Sequence, residues 1–272
     1  MNHNFAIAFG ITLLAGLSTG IGGLLTLCVK EVNHKLLSGT LGFSAGVMLY
    51  ISMIEMFPEA SKTLVNIYGF TSGYGYTTIA FFGGIAFIAV VDRLIPGCSA
   101  PEEFKNSNFA KQIESTVKVN DFNMLRTGLF TALVVAMHNF PEGLVSFITG
   151  LKNPALGISI GISMAIHNIP EGIVVFSPVY YGTGSKRKAF YCTLYSGLSE
   201  PLGALIGYFL LYNFINSTTL SIVLAIVAGI MVYISVDELL PSAQKYGGHS
   251  IAIYGFIFGM AIMALNILCF LL

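Results

Sequence analysis

The amino-acid sequence predicts an all-α integral membrane protein with eight transmembrane helices in a 3+2+3 inverted repeat. Three observations support this fold class: the apolar composition, the number and length of the apolar stretches, and two internal sequence matches. Of the 272 residues, 55% are hydrophobic and only 10% are charged, and the mean hydropathy is +0.79. Because soluble domains carry about 25% charged residues, this composition indicates a chain that lies mostly in lipid.

Eight apolar stretches have the length that a bilayer requires. A helix needs roughly 20 residues to cross a hydrocarbon core of about 30 Å. We therefore expect one polytopic membrane domain over residues 1–272, with its longest connector at about 95–123. The first stretch has no basic residue before Phe5 and reaches Val29, so we interpret it as a retained helix rather than a signal peptide. The stretches lie at about 5–29, 36–57, 77–94, 125–148, 155–180, 189–212, 219–240 and 250–272.

Basic residues alternate between the connectors. The first, third, fifth and seventh connectors, with the helix ends beside them, hold 11 of the 13 Lys and Arg residues. The positive-inside rule then places these connectors, including the 95–123 loop, in the cytoplasm and both termini on the extracytoplasmic side. The formal net charge of zero gives no reason to expect a nucleic-acid partner.

Two internal matches predict the inverted repeat. Residues 45–60 align without gaps on 228–243 with nine identities, and residues 132–147 align on 161–176 with eight identities. The second stretch therefore matches the seventh, and the fourth matches the fifth. Because the stretches of each pair differ by an odd number of crossings, the matched helices run in opposite directions. Such repeats, related by an axis in the membrane plane, are typical of secondary transporters.

One six-residue motif occurs in both central stretches, as His138-Asn139-Phe140-Pro141-Glu142-Gly143 and as His167-Asn168-Ile169-Pro170-Glu171-Gly172. An ionisable residue at the bilayer centre costs roughly 3 kcal/mol, so it needs a compensating partner. Histidine and glutamate four positions apart share one helix face. Two such faces on antiparallel neighbours predict a metal site, and these ligand types suit zinc as well as iron(II), manganese and cobalt.

Prolines lie beside the candidate ligands. Pro141 and Pro170 cannot donate to the carbonyls of Met137 and Ile166, so we expect each helix to kink next to its ligands. The pair Glu200-Pro201 repeats the arrangement in the sixth stretch and adds a third buried carboxylate. Irregular backbone at this depth is tolerated where it is buried in protein or lines a wet cavity.

Taken together, these motifs resemble those of the ZIP (Zrt/Irt-like) divalent-metal transporter family, in particular its ZupT-like bacterial branch. The resemblance covers essentially the whole chain and includes three further motifs, IEMFPEA at 54–60, GLSEPLGA at 197–204 and SVDELLP at 235–241. It implies metal movement into the cytoplasm across a bacterial inner membrane and a homodimer. It also implies an elevator-like shift of helices 1, 4, 5 and 6 against helices 2, 3, 7 and 8.

The resemblance also implies a paired metal site. The first position would comprise His138, Glu142, His167 and Glu171, and the second would take Asn139, Asn168 and Glu200, with Glu142 and Glu171 bridging both. Zinc is the expected cargo, and iron(II), manganese, cobalt and cadmium remain open, because the same ligand types serve them all. No prosthetic group is expected.

Four further carboxylates are candidate ligands at the two mouths of a pathway. Glu55 and Glu238 are equivalent under the repeat, and because their helices run oppositely we expect them near opposite sides of the membrane, joined by Glu59 and Asp237. The alternative is that these carboxylates only mark the membrane interface.

A different class of function is an intramembrane metal-dependent hydrolase, because a histidine and carboxylate site can activate water. The sequence has no HExxH pattern and no evident nucleophile or general base beside the ligands. A metal sensor would need an output domain that the eight stretches leave no room for. We therefore expect a transporter without catalytic residues rather than an enzyme.

Overall fold

The structure is a computed structural model that describes residues 2–28, 34–94, 119–211 and 216–271. Within these ranges all regular elements are helical, which confirms the all-α prediction. They form eight consecutive helices, of which six (α1, α2, α3, α5, α7 and α8) are long and apolar enough to cross a membrane. Most of the expected 95–123 loop lies outside the described residues. The helices are α1 (Asn2–Cys28), α2 (His34–Ile51, Ser52–Met56 and Phe57–Tyr68), α3 (Phe70–Leu94), α4 (Val119–Lys152), α5 (Pro154–Thr183), α6 (Lys186–Gly197, Ser199–Ile206 and Gly207–Leu211), α7 (Ser217–Tyr233, Ile234–Leu239 and Leu240–Gly247) and α8 (His249–Leu271).

Helices α2 and α7 continue past the ends expected for them, at about residues 57 and 240, to Tyr68 and Gly247. Each contains one wide π-helical segment, Ser52–Met56 in α2 and Ile234–Leu239 in α7, that ends two residues before a proline. The wider turn shifts the backbone hydrogen-bond pattern. The helix therefore continues through the proline, although proline has no N–H group to donate. The two segments occupy equivalent positions of the repeat.

The helix packing also follows the repeat. Helix α1 packs on α5 as α6 packs on α4, and α2 packs on α8 as α7 packs on α3, while α4 and α5 contact each other at the centre. Exchanging α1 with α6, α2 with α7, α3 with α8 and α4 with α5 therefore maps each of these contacts onto another. The predicted 3+2+3 inverted repeat is confirmed in three dimensions.

The hydrophobic core divides the helices into two groups. The largest cluster of buried apolar side chains joins α2, α3, α7 and α8, and it receives Val145 of α4 and Val174 of α5. The buried side chains of the smaller clusters belong to α1, α4, α5 and α6, and Leu220 and Val223 of α7 pack against one of these clusters. Apolar side chains also point outward, with Ile79 and Tyr254 each 72% exposed, as expected of helices that face lipid. The two motif helices thus lie where the two groups meet.

The helical backbone is interrupted in α6 rather than at the motif prolines. Both α4 and α5 stay helical through Pro141 and Pro170, so neither proline ends its helix. In α6 a turn at Leu198 separates two helical segments and precedes Glu200-Pro201. The irregular backbone expected near the candidate ligands is therefore supplied by α6 most clearly.

Candidate metal centre

All seven predicted metal ligands are buried in the middle of the helix bundle. His138 is 1% exposed, and the other six are 0% exposed. Burial of this many polar and ionisable side chains in a membrane protein is costly unless each finds a partner. The six are Asn139, Glu142, His167, Asn168, Glu171 and Glu200.

Histidines and glutamates of the two motifs pair crosswise. Nε2 of His138 on α4 donates to Oε1 of Glu171 on α5 at 3.1 Å, and Nε2 of His167 on α5 donates to Oε2 of Glu142 on α4 at 3.1 Å. The two bonds are equivalent under the repeat, so the pseudo-two-fold axis passes between them. The prediction that antiparallel faces bring the four side chains together agrees with this geometry.

His167 has a second hydrogen bond that fixes its orientation. Its Nδ1 donates to the carbonyl oxygen of Ser163 at 3.1 Å, and the hydroxyl of Ser163 accepts from Nδ2 of Asn266 on α8 at 2.7 Å. A metal-binding histidine characteristically donates its other ring nitrogen to such an acceptor. The atom of His167 available to a cation is therefore Nε2.

The asparagines and Glu200 form a second layer of contacts. Nδ2 of Asn168 donates to Oε1 of Glu200 and to the carbonyl of Ala15 on α1, the latter at 2.9 Å. Nδ2 of Asn139 donates to the carbonyl of Ser196 on α6 at 3.4 Å. Helices α1 and α6 thus hold the two amide groups with their oxygens free to serve another partner.

Five buried oxygens converge on this region without a hydrogen-bond partner among the described residues. Each unsatisfied buried acceptor costs about 1–3 kcal/mol, and a charged one costs more. A divalent cation would satisfy several of them at once. The oxygens are Oδ1 of Asn139 and of Asn168, Oε1 of Glu142, and Oε2 of Glu171 and of Glu200.

The described side chains are not already arranged as a closed ligand shell. No group of three or more His, Cys, Asp or Glu side chains in the described ranges is spaced to hold a metal ion. In the crossed pairs each imidazole Nε2 is instead turned toward a carboxylate. A cation would have to replace both of these hydrogen bonds.

The four outer carboxylates differ in burial. Glu55 and Glu238 are partly buried in the π-helical segments of α2 and α7, whereas Glu59 and Asp237 are exposed. Oε2 of Glu55 has no hydrogen-bond partner in the described part of the chain. Glu238 lies close enough to His138 for electrostatic interaction. The structure thus connects Glu238 with the ligand cluster more directly than the sequence suggested.

The sequence did not single out two polar residues that contact the candidate site or its neighbours, Asp92 and Asn266. Asp92 of α3 accepts a hydrogen bond from the Tyr233 hydroxyl at 3.3 Å and interacts electrostatically with Glu238. In the sequence Asp92 stands beside Arg93 at the end of an apolar stretch, where charged residues commonly mark the membrane interface. Nothing in that position indicated its contact with Tyr233. Asn266 was detectable in principle, as a lone amide inside an apolar stretch.

Fold and site together define a polytopic α-helical membrane protein, built on an inverted repeat with a candidate metal centre at its axis. The family model described as ZIP Zinc transporter matches residues 111–267, more than half of the chain. The chain belongs to this family, which confirms the resemblance drawn from its motifs.

Curated relatives match the chain along its whole length. A protein named Zinc transporter ZupT from Clostridium perfringens is 49% identical over 281 residues, covering 99% of this chain and 98% of its own. Proteins of the same name from Chlorobaculum parvum and Streptococcus mutans are 51% and 50% identical over 271 residues, and each alignment covers 100% of both chains. The chain is therefore a ZupT-like member of the family.

Proposed function

We propose that this protein carries divalent metal cations, zinc first among them, across a bacterial inner membrane into the cytoplasm by alternating access. The observation that carries the proposal is the pair of crossed His–Glu contacts, His138 with Glu171 and His167 with Glu142, on fully buried side chains. An arrangement that is equivalent under an inverted repeat can be reached in the same way from either side of the membrane. The names of the relatives support zinc as the cargo.

The proposed ligands divide into two positions. His138, Glu142, His167 and Glu171 would hold one cation, and Asn139, Asn168 and Glu200 would hold a second, with Glu142 and Glu171 bridging. Support for the second position comes from the unpartnered oxygens of Asn139, Asn168 and Glu200 within the described ranges. The same nitrogen and oxygen donors accept iron(II), manganese, cobalt and cadmium, so geometry decides the order among them.

Cation binding exchanges one set of contacts for another. Nε2 of His167 loses its proton when it binds metal, while its Nδ1 keeps the bond to the Ser163 carbonyl. The carboxylates released from the crossed pairs turn to the cation. Protons leave the site as metal enters, which lowers the electrostatic cost of placing a divalent ion at this depth.

We propose that access alternates through movement between the two helix groups. The division of the apolar core into α2, α3, α7 and α8 on one side and α1, α4, α5 and α6 on the other supports this view. A divalent ion that moves inward down a potential of 100 mV gains roughly 4.6 kcal/mol, twice the value for a single charge. The homodimer and the extracytoplasmic location of both termini belong to the same proposal.

Purified protein in liposomes loaded with a zinc-sensitive dye tests the proposal. We expect external zinc to raise the dye signal well above that of empty liposomes, and competition by iron(II), manganese, cobalt and cadmium to rank the cargo. Absence of uptake would remove the transport function. Release of product from a membrane-embedded peptide substrate, lost on chelation of the metal, would favour the metal-dependent hydrolase instead.

A further inference from the structure

Helices α1 and α6 correspond to each other in sequence as well as in packing. Residues 16–24, GLSTGIGGL, align without gaps on residues 197–205, GLSEPLGAL, with five identities in nine positions. In this alignment Thr19 stands opposite Glu200. A threonine on α1 thus occupies the position that mirrors the third buried carboxylate of the candidate metal centre.

Three sets of contacts bear out this correspondence. Ser18 donates to the carbonyl of Ala15 at 2.6 Å, and Ser199 donates to the carbonyl of Ser196 at 2.6 Å. These same two carbonyls accept from Nδ2 of the motif asparagines Asn168 and Asn139.

The motif glycines give the third set. A Cβ atom on Gly172 would clash with the carbonyl oxygen of Thr19, and a Cβ atom on Gly143 would clash with that of Glu200. The backbone of α1 at Thr19 therefore approaches α5 as the backbone of α6 at Glu200 approaches α4.

The hydroxyl of Thr19 is buried and is not used by its own helix. Thr19 is 0% exposed, and its Oγ1 has no hydrogen-bond partner among the residues that the structure describes. Thr12 and Thr26 of the same helix instead donate to the carbonyls four residues before them, at 3.0 and 2.9 Å. For Thr19 that carbonyl belongs to Ala15, which already accepts from Asn168 and Ser18.

We propose that Thr19 is a further member of the metal site and that its hydroxyl is a neutral oxygen ligand beside Asn139. Glu200 is the equivalent ligand beside Asn168. This inference rests on the proposed metal-transport function. It accounts for two oxygens left without a partner within the described ranges, Oγ1 of Thr19 and Oδ1 of Asn139. It also gives the two mirrored halves different charges, because a hydroxyl stands where the repeat places a carboxylate.

The difference in charge has a consequence for transport. With Thr19 the site holds three carboxylates, Glu142, Glu171 and Glu200, instead of four. A fourth would strengthen the attraction for a divalent ion and slow its release. Thr19 therefore sets the balance between holding the cation and letting it go.

Zinc binding to the purified full-length protein, measured by equilibrium dialysis, tests this inference apart from transport. Thr19→Val keeps the shape and removes the oxygen, and we expect it to weaken zinc binding about 3- to 10-fold. Thr19→Ser keeps the hydroxyl and should bind within about two-fold of the unaltered protein. Thr26→Val is the matched control, because Thr26 donates only to its own helix, and it should bind like the unaltered protein.

Thr19→Glu gives the opposite change and decides the matter if Thr19→Val fails to fold. We expect tighter zinc binding and slower zinc uptake in liposomes. Zinc binding unchanged in Thr19→Val, or no tighter in Thr19→Glu, would overturn the inference while leaving transport intact. If the unaltered protein binds zinc but does not transport it, the proposed transport function is wrong. The zinc affinities of the Thr19 variants still show whether Thr19 is a ligand.

Discussion

Glu142 of α4 and His167 of α5 are joined by a hydrogen bond of 3.1 Å between Oε2 and Nε2, and neither side chain is exposed. The same bond recurs between Glu171 and His138. Because each motif supplies the histidine of one pair and the glutamate of the other, neither pair can form without both motifs. Loss of one histidine leaves a buried carboxylate of the opposite helix without its partner, so a change in one motif disturbs both.

The motif glycines should tolerate no side chain. A Cβ atom on Gly172 would meet backbone of α1, and overpacking of this kind costs about 1–3 kcal/mol. We expect Gly172→Ala to lower the apparent Tm in detergent by several degrees. Gly10→Ala is the control, since nothing lies within 4 Å of its added Cβ. An equal Tm for the two variants would contradict the packing described here.

Glu200 should contribute its charge and not only its shape. Glu200→Gln keeps a carbonyl oxygen for Asn168 and removes a carboxyl group that can present a negative charge to a bound cation. We expect zinc binding to weaken about 10-fold or more, equivalent to about 1.4 kcal/mol. Equilibrium dialysis of the purified variant measures this directly. Binding equal to that of the unaltered protein would remove Glu200 from the ligand set.

The two outer glutamates should affect opposite steps. Glu55→Ala should raise the external zinc concentration needed for half-maximal uptake several-fold, because it removes the ligand proposed for the outer mouth. Glu238→Ala should mainly lower the maximal rate, because Glu238 is the proposed ligand at the cytoplasmic mouth and interacts electrostatically with His138. Initial uptake rates over a range of zinc concentrations separate the two effects. Unchanged flux in both variants would show that these carboxylates only mark the interface.

The orientation of the helices can be tested at two exposed lysines. Lys152 ends α4 and Lys186 begins α6, and the positive-inside rule places them on opposite sides of the membrane. In a background without native cysteines, Lys152→Cys should react with an impermeant maleimide in intact cells. Lys186→Cys should react only after the cells are opened. The reverse pattern would place both termini in the cytoplasm.

The fold was largely predictable because membrane helices leave a strong periodic and compositional signal. The internal matches predicted which helices would be equivalent, since polar residues such as His, Asn and Glu rarely coincide by chance in apolar stretches. The continuation of α2 past Pro58 was not predictable in the same way, because it depends on one π-helical segment that shifts the ladder over a few residues. Simple proline rules do not include such a segment.

The site was predictable in its ligand types but not in its detailed contacts. The spacing of His138 and Glu142 placed both on one face, yet it could not show that each would pair with the other motif. That crossing depends on how α4 and α5 approach each other, and they approach so closely at Gly150 and Gly157 that a Cβ atom on Gly157 would clash with Gly150. The contact of Asn266 with Ser163 likewise joins residues 103 positions apart.

The most direct test of the central claim is zinc uptake by liposomes that contain the double variant His138→Ala with Glu142→Ala. This variant removes one ligand from each crossed pair, whereas His249→Ala changes only an exposed histidine at the start of α8. We predict that the double variant loses nearly all zinc uptake and that His249→Ala keeps it. Undiminished uptake by a folded double variant would contradict the proposal that the two motifs form the transport site.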